Sequence, residues 1–510
     1  MLIRTLVLCA AALTASAAPT TYETEASGAA TACEIFEKRF PNQTFYSGTA
    51  DYDFEAKTQI WAVQNHLDPA CVFVPQSAHQ VSFAVITFTL TRTEFAVRGG
   101  GHMPLRAFNS ISAPGVLLSM TKLKTITLSE DKTVASIGPG NRWLNVYEYL
   151  EPHGLVVVGG RVGQVGVPGL ILGGGISFYS NQHGFASDNV VKYECILANG
   201  RTAEVTAQNS YSDLFWALKA GGNSFCIATR FDLQTYPSSK VWVGTAQYSA
   251  NQSSQFLDAV YNFAQHGSLD PKAALTPIAA TIPSKNITVY RALRFYDSTV
   301  DVPGTWENLS TPHMTPLSDD YSLRPLTEYL KADGGTAPGA LRRKWRFVSS
   351  VVSRDAIEII HNILIRESYA RLSNRVNSTA GVAFQPITQE FLRQGQLKGG
   401  NPHGLDSSKG PYFWSVLQLA CEDNDEDYEA LHEFAEFFFA EVTKELKAKG
   451  LHAEYLYMND AGEGQKVFES YGRENLERLK DIREKYDPLK VYSELMPGGW
   501  KVYTADRIFL

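Results

Sequence analysis

His102 stands directly after three consecutive glycines, in the run E-F-A-V-R-G-G-G-H-M-P from Glu94 to Pro104. Phe95, Ala96 and Val97 suit a short buried strand, which Gly99, Gly100 and Gly101 end abruptly. With no Cβ at three successive positions, the backbone can take positive φ and lie against a flat or phosphorylated ligand. Successive N–H groups in such a turn form a concavity for anions, and the imidazole that follows faces whatever is bound there. Alone, the pattern fits a surface glycine loop with an unrelated histidine equally well.

A second stretch favours a binding site. From Gly159 to Gly175 the chain reads G-G-R-V-G-Q-V-G-V-P-G-L-I-L-G-G-G. Glycine at every third place from 160 to 169 mimics collagen, but the run is far too short for it. A backbone wrapped along an extended ligand, with amides directed to phosphates, is the better reading. Neither stretch contains G-x-x-x-x-G-K-[ST] or G-x-G-x-x-G, so a P-loop and a Rossmann fingerprint are both excluded and another nucleotide fold is indicated.

The elements around these stretches alternate between strand and helix. Ala70–Val74 reads as a strand stopped by Pro75. Ser77 caps a helix with Val81, Phe83, Ala84 and Ile86 on its apolar side. Strands are predicted over Phe95–Val97, Gly115–Met120, Thr125–Leu128 and Thr133–Ile137, and a helix over Asn141–Leu150. Beyond Pro237 the pattern changes. Val241–Tyr248, Asn286–Tyr296 and Tyr412–Ala420 alternate like strands of a half-exposed antiparallel sheet, and Arg354–Arg371 and Glu426–Lys449 like amphipathic helices. Residues 299–319 and 397–411 read as surface loops. A charged helix over Ser470–Tyr486 precedes Asp487-Pro488 and a tail that returns to the first domain.

At 510 residues the chain calls for two domains. Hydrophobic content of 44%, charged content of 19% and a net charge of -7 without a long basic cluster fit a globular protein and argue against nucleic acid as the main partner. Arg4, the apolar run Leu6–Leu13 and Ala15-Ser16-Ala17 form a secretory signal peptide, with Ala18 as the mature start. No later stretch is long and apolar enough to cross a bilayer. Residues 18–30 are Thr-, Ala- and Ser-rich and predicted to be poorly ordered. Of six cysteines, Cys9 leaves with the signal. In an oxidising compartment Cys33 pairs with Cys71, leaving Cys195, Cys226 and Cys421 as buried thiols. Sequons at Asn42, Asn251, Asn286, Asn308 and Asn377 suit a secreted glycoprotein. No metal site is indicated.

R-G-G-G-H (98–102), V-G-V-P-G-L-I-L-G-G-G-I-S (165–177), H-G-F-A-S-D-N-V (183–190), D-L-F-W-A-L-K-A-G-G-N (213–223) and the C-terminal Tyr455–Asn459 and Tyr486–Pro488 follow in order. Together they resemble the berberine-bridge-enzyme-like branch of the vanillyl-alcohol-oxidase superfamily, in a style closest to fungal members, over nearly the whole mature chain. The resemblance implies an α+β fold, with a two-part FAD-binding domain (18–237, flavin core about 67–237). It adds an antiparallel-sheet substrate-binding domain with helices on one face (238–464) and a C-terminal return (465–510). It implies FAD held by a single covalent bond from His102, because Val162 stands where many relatives have a second, cysteinyl attachment. Arg98, Gly99, Gly100, Gly101, Val165, Gly166, Gly169, Gly173, Gly174, Gly175, Asn189, Val190 and Asn459 are the remaining expected cofactor contacts.

Val165, at the family's oxygen-access position, points to an oxidase; simple packing beside a glycine would look the same in sequence. Asp460 stands where the family often has a tyrosine in proton transfer. Its carboxylate is one candidate base and Tyr457 the next, while Asp460 also suits the start of the turn Asp460-Ala461-Gly462. His183 reads as a structural contact near the cofactor, and Cys226, in place of a usual glycine, as packing. The expected activity is hydride transfer from a small organic substrate to flavin, with a secondary metabolite preferred, followed by reoxidation by molecular oxygen to give H2O2. A carbohydrate oxidase and a flavoprotein with little turnover are the alternatives. Oligomeric state is not legible.

Overall fold

Four short strands gather the most apolar runs of the N-terminal part. Cys71–Phe73, Val116–Ser119 and Phe95–Arg98 lie parallel in that order, and Thr44–Phe45 pairs antiparallel at the edge. The structure, a computed structural model, describes residues 28–332 and 340–505. The signal segment 1–17 and the mature start at Ala18 lie outside the described residues.

Residues 28–30, expected to be poorly ordered, begin the helix Gly28–Arg39. The Cys33–Cys71 disulfide ties that helix to the sheet, and Phe36 stacks on Phe73 at 4.5 Å. Ser77 Oγ accepts from the Gln80 N–H at the start of the helix Ala78–Thr91, as its spacing predicts. That helix buries Val81, Ala84, Val85 and Phe88. Ile86, expected on the apolar side, is exposed, because the buried stripe follows the i, i+3, i+4, i+7 positions from Val81 and leaves 86 outside it.

A six-stranded sheet follows. Its long strand Ile227–Pro237 pairs antiparallel with Val134–Ile137, Val190–Ile196 and Leu155–Val157; Ile126–Leu128 and Thr202–Val205 form the edges.

The C-terminal half is built on a nine-stranded antiparallel sheet whose centre runs Val241–Ser249, Ile287–Tyr296, Ala273–Ile282, Thr379–Ile387, Tyr412–Cys421, Arg342–Val351. Residue parity decides which face each side chain joins. Tyr290, Ala292, Val382, Phe384, Leu417 and Leu419 pack beneath the helices Ser253–His266, Arg354–Leu372 and Asp425–Ala448. Their neighbours in the strands face the N-terminal half. The sheet is therefore not half-exposed as expected: Tyr412–Cys421 is buried along nearly its whole length, since its second face is covered by the N-terminal half rather than by water.

Segment 397–411 is also not a plain surface loop. Lys219 Nζ donates to the Lys398 and Gly400 carbonyls at 2.9 and 3.0 Å, and buried His403 stacks on Phe185 while bonding the Tyr455 hydroxyl at 2.7 Å. At the C-terminus, buried Asp487 accepts from the N–H groups of Val491, Tyr492 and Ser493, turning the chain back. The tail then docks on Asn223 and Ser224. Among the described residues, no helix is long and apolar enough to cross a membrane.

Candidate active site

The two glycine stretches meet backbone to backbone. A Cβ on Gly100 would fall 2.4 Å from Gly166 Cα, and one on Gly99 would fall 2.4 Å from the Pro168 ring. Gly101 takes φ +67°, with its Cβ position 2.5 Å from the Gln59 carbonyl. Only glycine allows this approach. Together these turns line a cavity of about 520 Å3. A Cβ on Gly169 would meet nothing within 4 Å, so that position faces open space in the cradle. A flat cofactor with a pyrophosphate fits a wall of this kind, made of bare backbone.

Facing the same cavity are alternate residues of the large sheet, Thr276 and Ile278, Arg291 and Leu293, Ala383 and Gln385, Val416 and Gln418. The period of two along each strand puts exactly one parity of side chains into the space. Trp500, on the returning tail, closes part of it and donates its indole N–H to the Met458 carbonyl at 3.2 Å.

His102 lines the cavity with its ring stacked on Trp61, centroids 4.1 Å apart and planes 12° from parallel. The Arg343 guanidinium covers the Trp61 ring at 3.8 Å, and the Trp61 N–H donates to the Gly101 carbonyl at 3.0 Å. Burial, and then the nearby charges of Arg142 and Arg343, lower the His102 pKa to about 3. The imidazole is therefore neutral at any physiological pH and keeps a nitrogen lone pair.

Asp460 opens on the same cavity. Its Oδ2 accepts from Gln385 Nε2 at 2.7 Å. Gln385 Oε1 in turn accepts from the Arg161 guanidinium, which also donates to Thr276 Oγ1 at 2.9 Å. Burial raises the Asp460 pKa to about 6, with Gln385 and Arg161 partly opposing it. The carboxyl thus titrates in the range useful for moving a proton. The turn expected at this residue is also present, the Asp460 N–H donating to the Tyr457 carbonyl at 3.1 Å.

Tyr457 is differently engaged. Its hydroxyl oxygen accepts from the N–H groups of Gly175 and Ile176, each at 3.1 Å, and from Asn459 Nδ2 at 3.0 Å. Burial raises its pKa.

Of the residues expected at the site, His102, Gly99, Gly100, Gly101, Val165, Gly166, Gly169, Gly173, Tyr457, Asn459 and Asp460 border the cavity, as does Val162. Arg98, Gly174, Gly175, Asn189 and Val190 do not. The Arg98 side chain is buried behind the loop, paired with Glu55 and donating to Ser119 Oγ at 2.6 Å. Gly174 and Gly175 serve close packing, since Cβ atoms there would strike His403 and Leu170. The Asn189 amide is used by the His183 and Phe185 carbonyls, Tyr236 and Lys398, and Val190 is core. His183 stacks on Tyr236 at 3.8 Å.

Sequence reasoning missed Trp61, Arg161, Thr276, Gln385 and Arg343. Gln385 carried a signal, a lone amide inside the apolar strand Thr379–Ile387. Trp61 carried none, because it lies in an irregular segment.

Comparison with known proteins agrees with this geometry. A family model described as "FAD binding domain" matches residues 69–206. The FAD-dependent monooxygenase prx3 of Penicillium roqueforti is 33% identical over 490 residues, covering 93% of this chain and 94% of its own. The bifunctional solanapyrone synthase of Alternaria solani is 30% identical over 447 residues, covering 85% and 82%. Among solved structures, the glucooligosaccharide oxidase of Acremonium strictum, which carries a 6-S-cysteinyl, 8α-N1-histidyl FAD, superposes with TM-score 0.71 at 18% identity over 92% of this chain and all of its own. The 6-hydroxy-D-nicotine oxidase of Arthrobacter nicotinovorans superposes with TM-score 0.71 at 18% identity, over 88% of this chain and 96% of its own.

Proposed function

Because the chain belongs to the berberine-bridge-enzyme-like FAD-dependent oxidoreductases of the vanillyl-alcohol-oxidase superfamily, we propose that it is a secreted oxidase of a small secondary metabolite, with FAD joined to His102 alone. FAD, when bound, supplies the hydride acceptor, and oxygen is the terminal oxidant, giving H2O2. The observation that carries this reading is the convergence on one cavity of a glycine cradle, a neutral imidazole and a carboxyl titrating near pH 6.

Gly99–Gly101, Gly166 and Gly169 hold the cofactor against bare backbone. Trp61 fixes the ring of His102, the neutral side chain that would hold the cofactor covalently. Val162 offers no thiol, so the attachment is single. Asp460 removes the proton from a substrate hydroxyl or amine while Gln385 orients the carboxylate. The sheet face sets Ile278, Leu293, Ala383 and Val416 beside Thr276, Arg291, Gln385 and Gln418, a mixed wall that suits a metabolite with an apolar body and a few polar groups. Exposure of all five sequon asparagines and the Cys33–Cys71 bond support secretion with glycosylation.

Denaturing electrophoresis tests the attachment: a fluorescent flavin band is expected from the parent and none from His102→Ala. A panel of alcohols, phenols, alkaloids and oligosaccharides, read by peroxide release, tests the activity. Turnover of oligosaccharides alone, or no peroxide from any class, overturns the reading.

A further inference from the structure

We propose that Cys195 and Cys226 close a second disulfide in the folded protein. Their sulfurs lie 2.6 Å apart, well inside the roughly 3.5–4 Å of ordinary nonbonded contact and close to the bonded separation of about 2.05 Å. Both side chains are buried. Cys195 is in the strand Val190–Ile196, and Cys226 immediately precedes the strand Ile227–Pro237, where Ile227 pairs with Ile196 and Ala228 with Cys195. The two sulfurs therefore meet across one ladder that hydrogen bonding already holds in register.

The chain forms disulfides, as the Cys33–Cys71 bond shows, so the inference rests on that bond and not on the assigned reaction. Burial raises the Cys195 pKa well above the usual thiol value, and a buried protonated thiol is unreactive. The bond is thus made before the ladder closes. A protein disulfide of the folding compartment is the oxidant. One cysteine thiolate attacks it to give a mixed disulfide, and the second thiolate then displaces the donor. The pair loses two protons and two electrons, and the donor disulfide becomes a dithiol.

The bond acts at the cofactor cavity, which Cys226 lines. It ends the turn whose Gly222 N–H donates to the Leu172 carbonyl at 3.0 Å. In the same turn Asn223 and Ser224 anchor the C-terminal tail at Gly498, Lys501 and Val502. A link from Cys226 to Cys195 would fasten this wall, and the tail that closes the cavity, to the six-stranded sheet.

The test uses full-length protein secreted from a eukaryotic host, in which peptide mapping finds the Cys33–Cys71 bond intact. The protein is denatured without reductant, alkylated and digested. The expected result is a cross-linked peptide pair containing Cys195 and Cys226, with alkyl label on Cys421 only. Labelling of Cys195 and Cys226 in the same sample overturns the proposal. As a second arm, Cys226→Ser should free Cys195 for full labelling after denaturation; in the parent Cys195 should take none. Equal labelling of Cys195 in both proteins refutes the bond even if the variant folds poorly.

Discussion

Replacing Asp460 by asparagine should make the protein more stable and less active at once. A rise in the carboxyl pKa from 3.8 to about 6 corresponds to roughly 3 kcal/mol, at about 1.4 kcal/mol per unit. The folded chain holds this proton to higher pH than the unfolded chain, so across that window it binds more protons and stability falls as pH rises. By pH 7 the full cost of about 3 kcal/mol is present, an upper bound because the group faces a cavity that admits water. Asparagine keeps an oxygen to accept the Gln385 N–H but carries no charge, and so removes the cost. Asp460→Asn should therefore unfold at a higher temperature than the parent at pH 7–8, with the difference closing below about pH 4. Loss of a positioned base should lower kcat by about 100- to 10,000-fold, and the parent's activity should rise with pH through about 6. The assays are thermal unfolding across pH 4–8 and peroxide release at saturating substrate. A variant within tenfold of the parent's kcat would refute the base assignment. A stability difference that does not change with pH would refute the raised pKa.

Gln385→Ala removes a hydrogen bond that favours the ionised carboxyl, so the acidic limb of the pH–rate profile should move above 6, with activity partly recovered at higher pH. Glu55→Gln strips the countercharge from buried Arg98 and should destabilise by about 3–5 kcal/mol; flavin content per folded molecule should not change, because Arg98 lies outside the cavity. Gly100→Ala drives a methyl group into Gly166, at a cost of about 1–3 kcal/mol or more, and should yield protein depleted in flavin absorbance. Retention of full flavin content by that variant would refute the close approach of the two loops.

What could be read without coordinates was local. Ser77 as a cap, the strand parity of Val241–Tyr248 and the ends of the Arg354 and Asp425 helices each depend on a few adjacent residues, and each emerged from spacing. The glycine runs were legible for the same reason, since backbone freedom is written in the residue itself. Partnership across the chain was not legible. Nothing near Gln385 in sequence indicates that its amide lies between Arg161 and Asp460, and nothing near Trp61 indicates His102. Arg98 illustrates the opposite error. Its place inside the motif suggests a ligand contact, but within the strand Phe95–Arg98 it is Val97 that lines the cavity, and alternation turns the Arg98 side chain the other way, toward Glu55.

The division of labour between Tyr457 and Asp460 follows from the same geometry. A phenol oxygen has two lone pairs, and in this protein three N–H groups already converge on it, two of them from the backbone at Gly175 and Ile176. Taking a substrate proton there would require displacing donors that hold the second glycine loop in shape. Among the described residues the Asp460 carboxylate has one hydrogen-bond partner, Gln385, and an ionised carboxylate has about four acceptor sites. Its remaining capacity opens on the cavity. Desolvation then leaves it basic enough to take a proton near neutral pH, a property the buried phenol lacks. On this argument, Tyr457→Phe should impair flavin loading by loosening Gly175 and Ile176. In the fraction that does load, the pH–rate midpoint should remain near 6. A midpoint that vanished in Tyr457→Phe and persisted in Asp460→Asn would reverse the two roles.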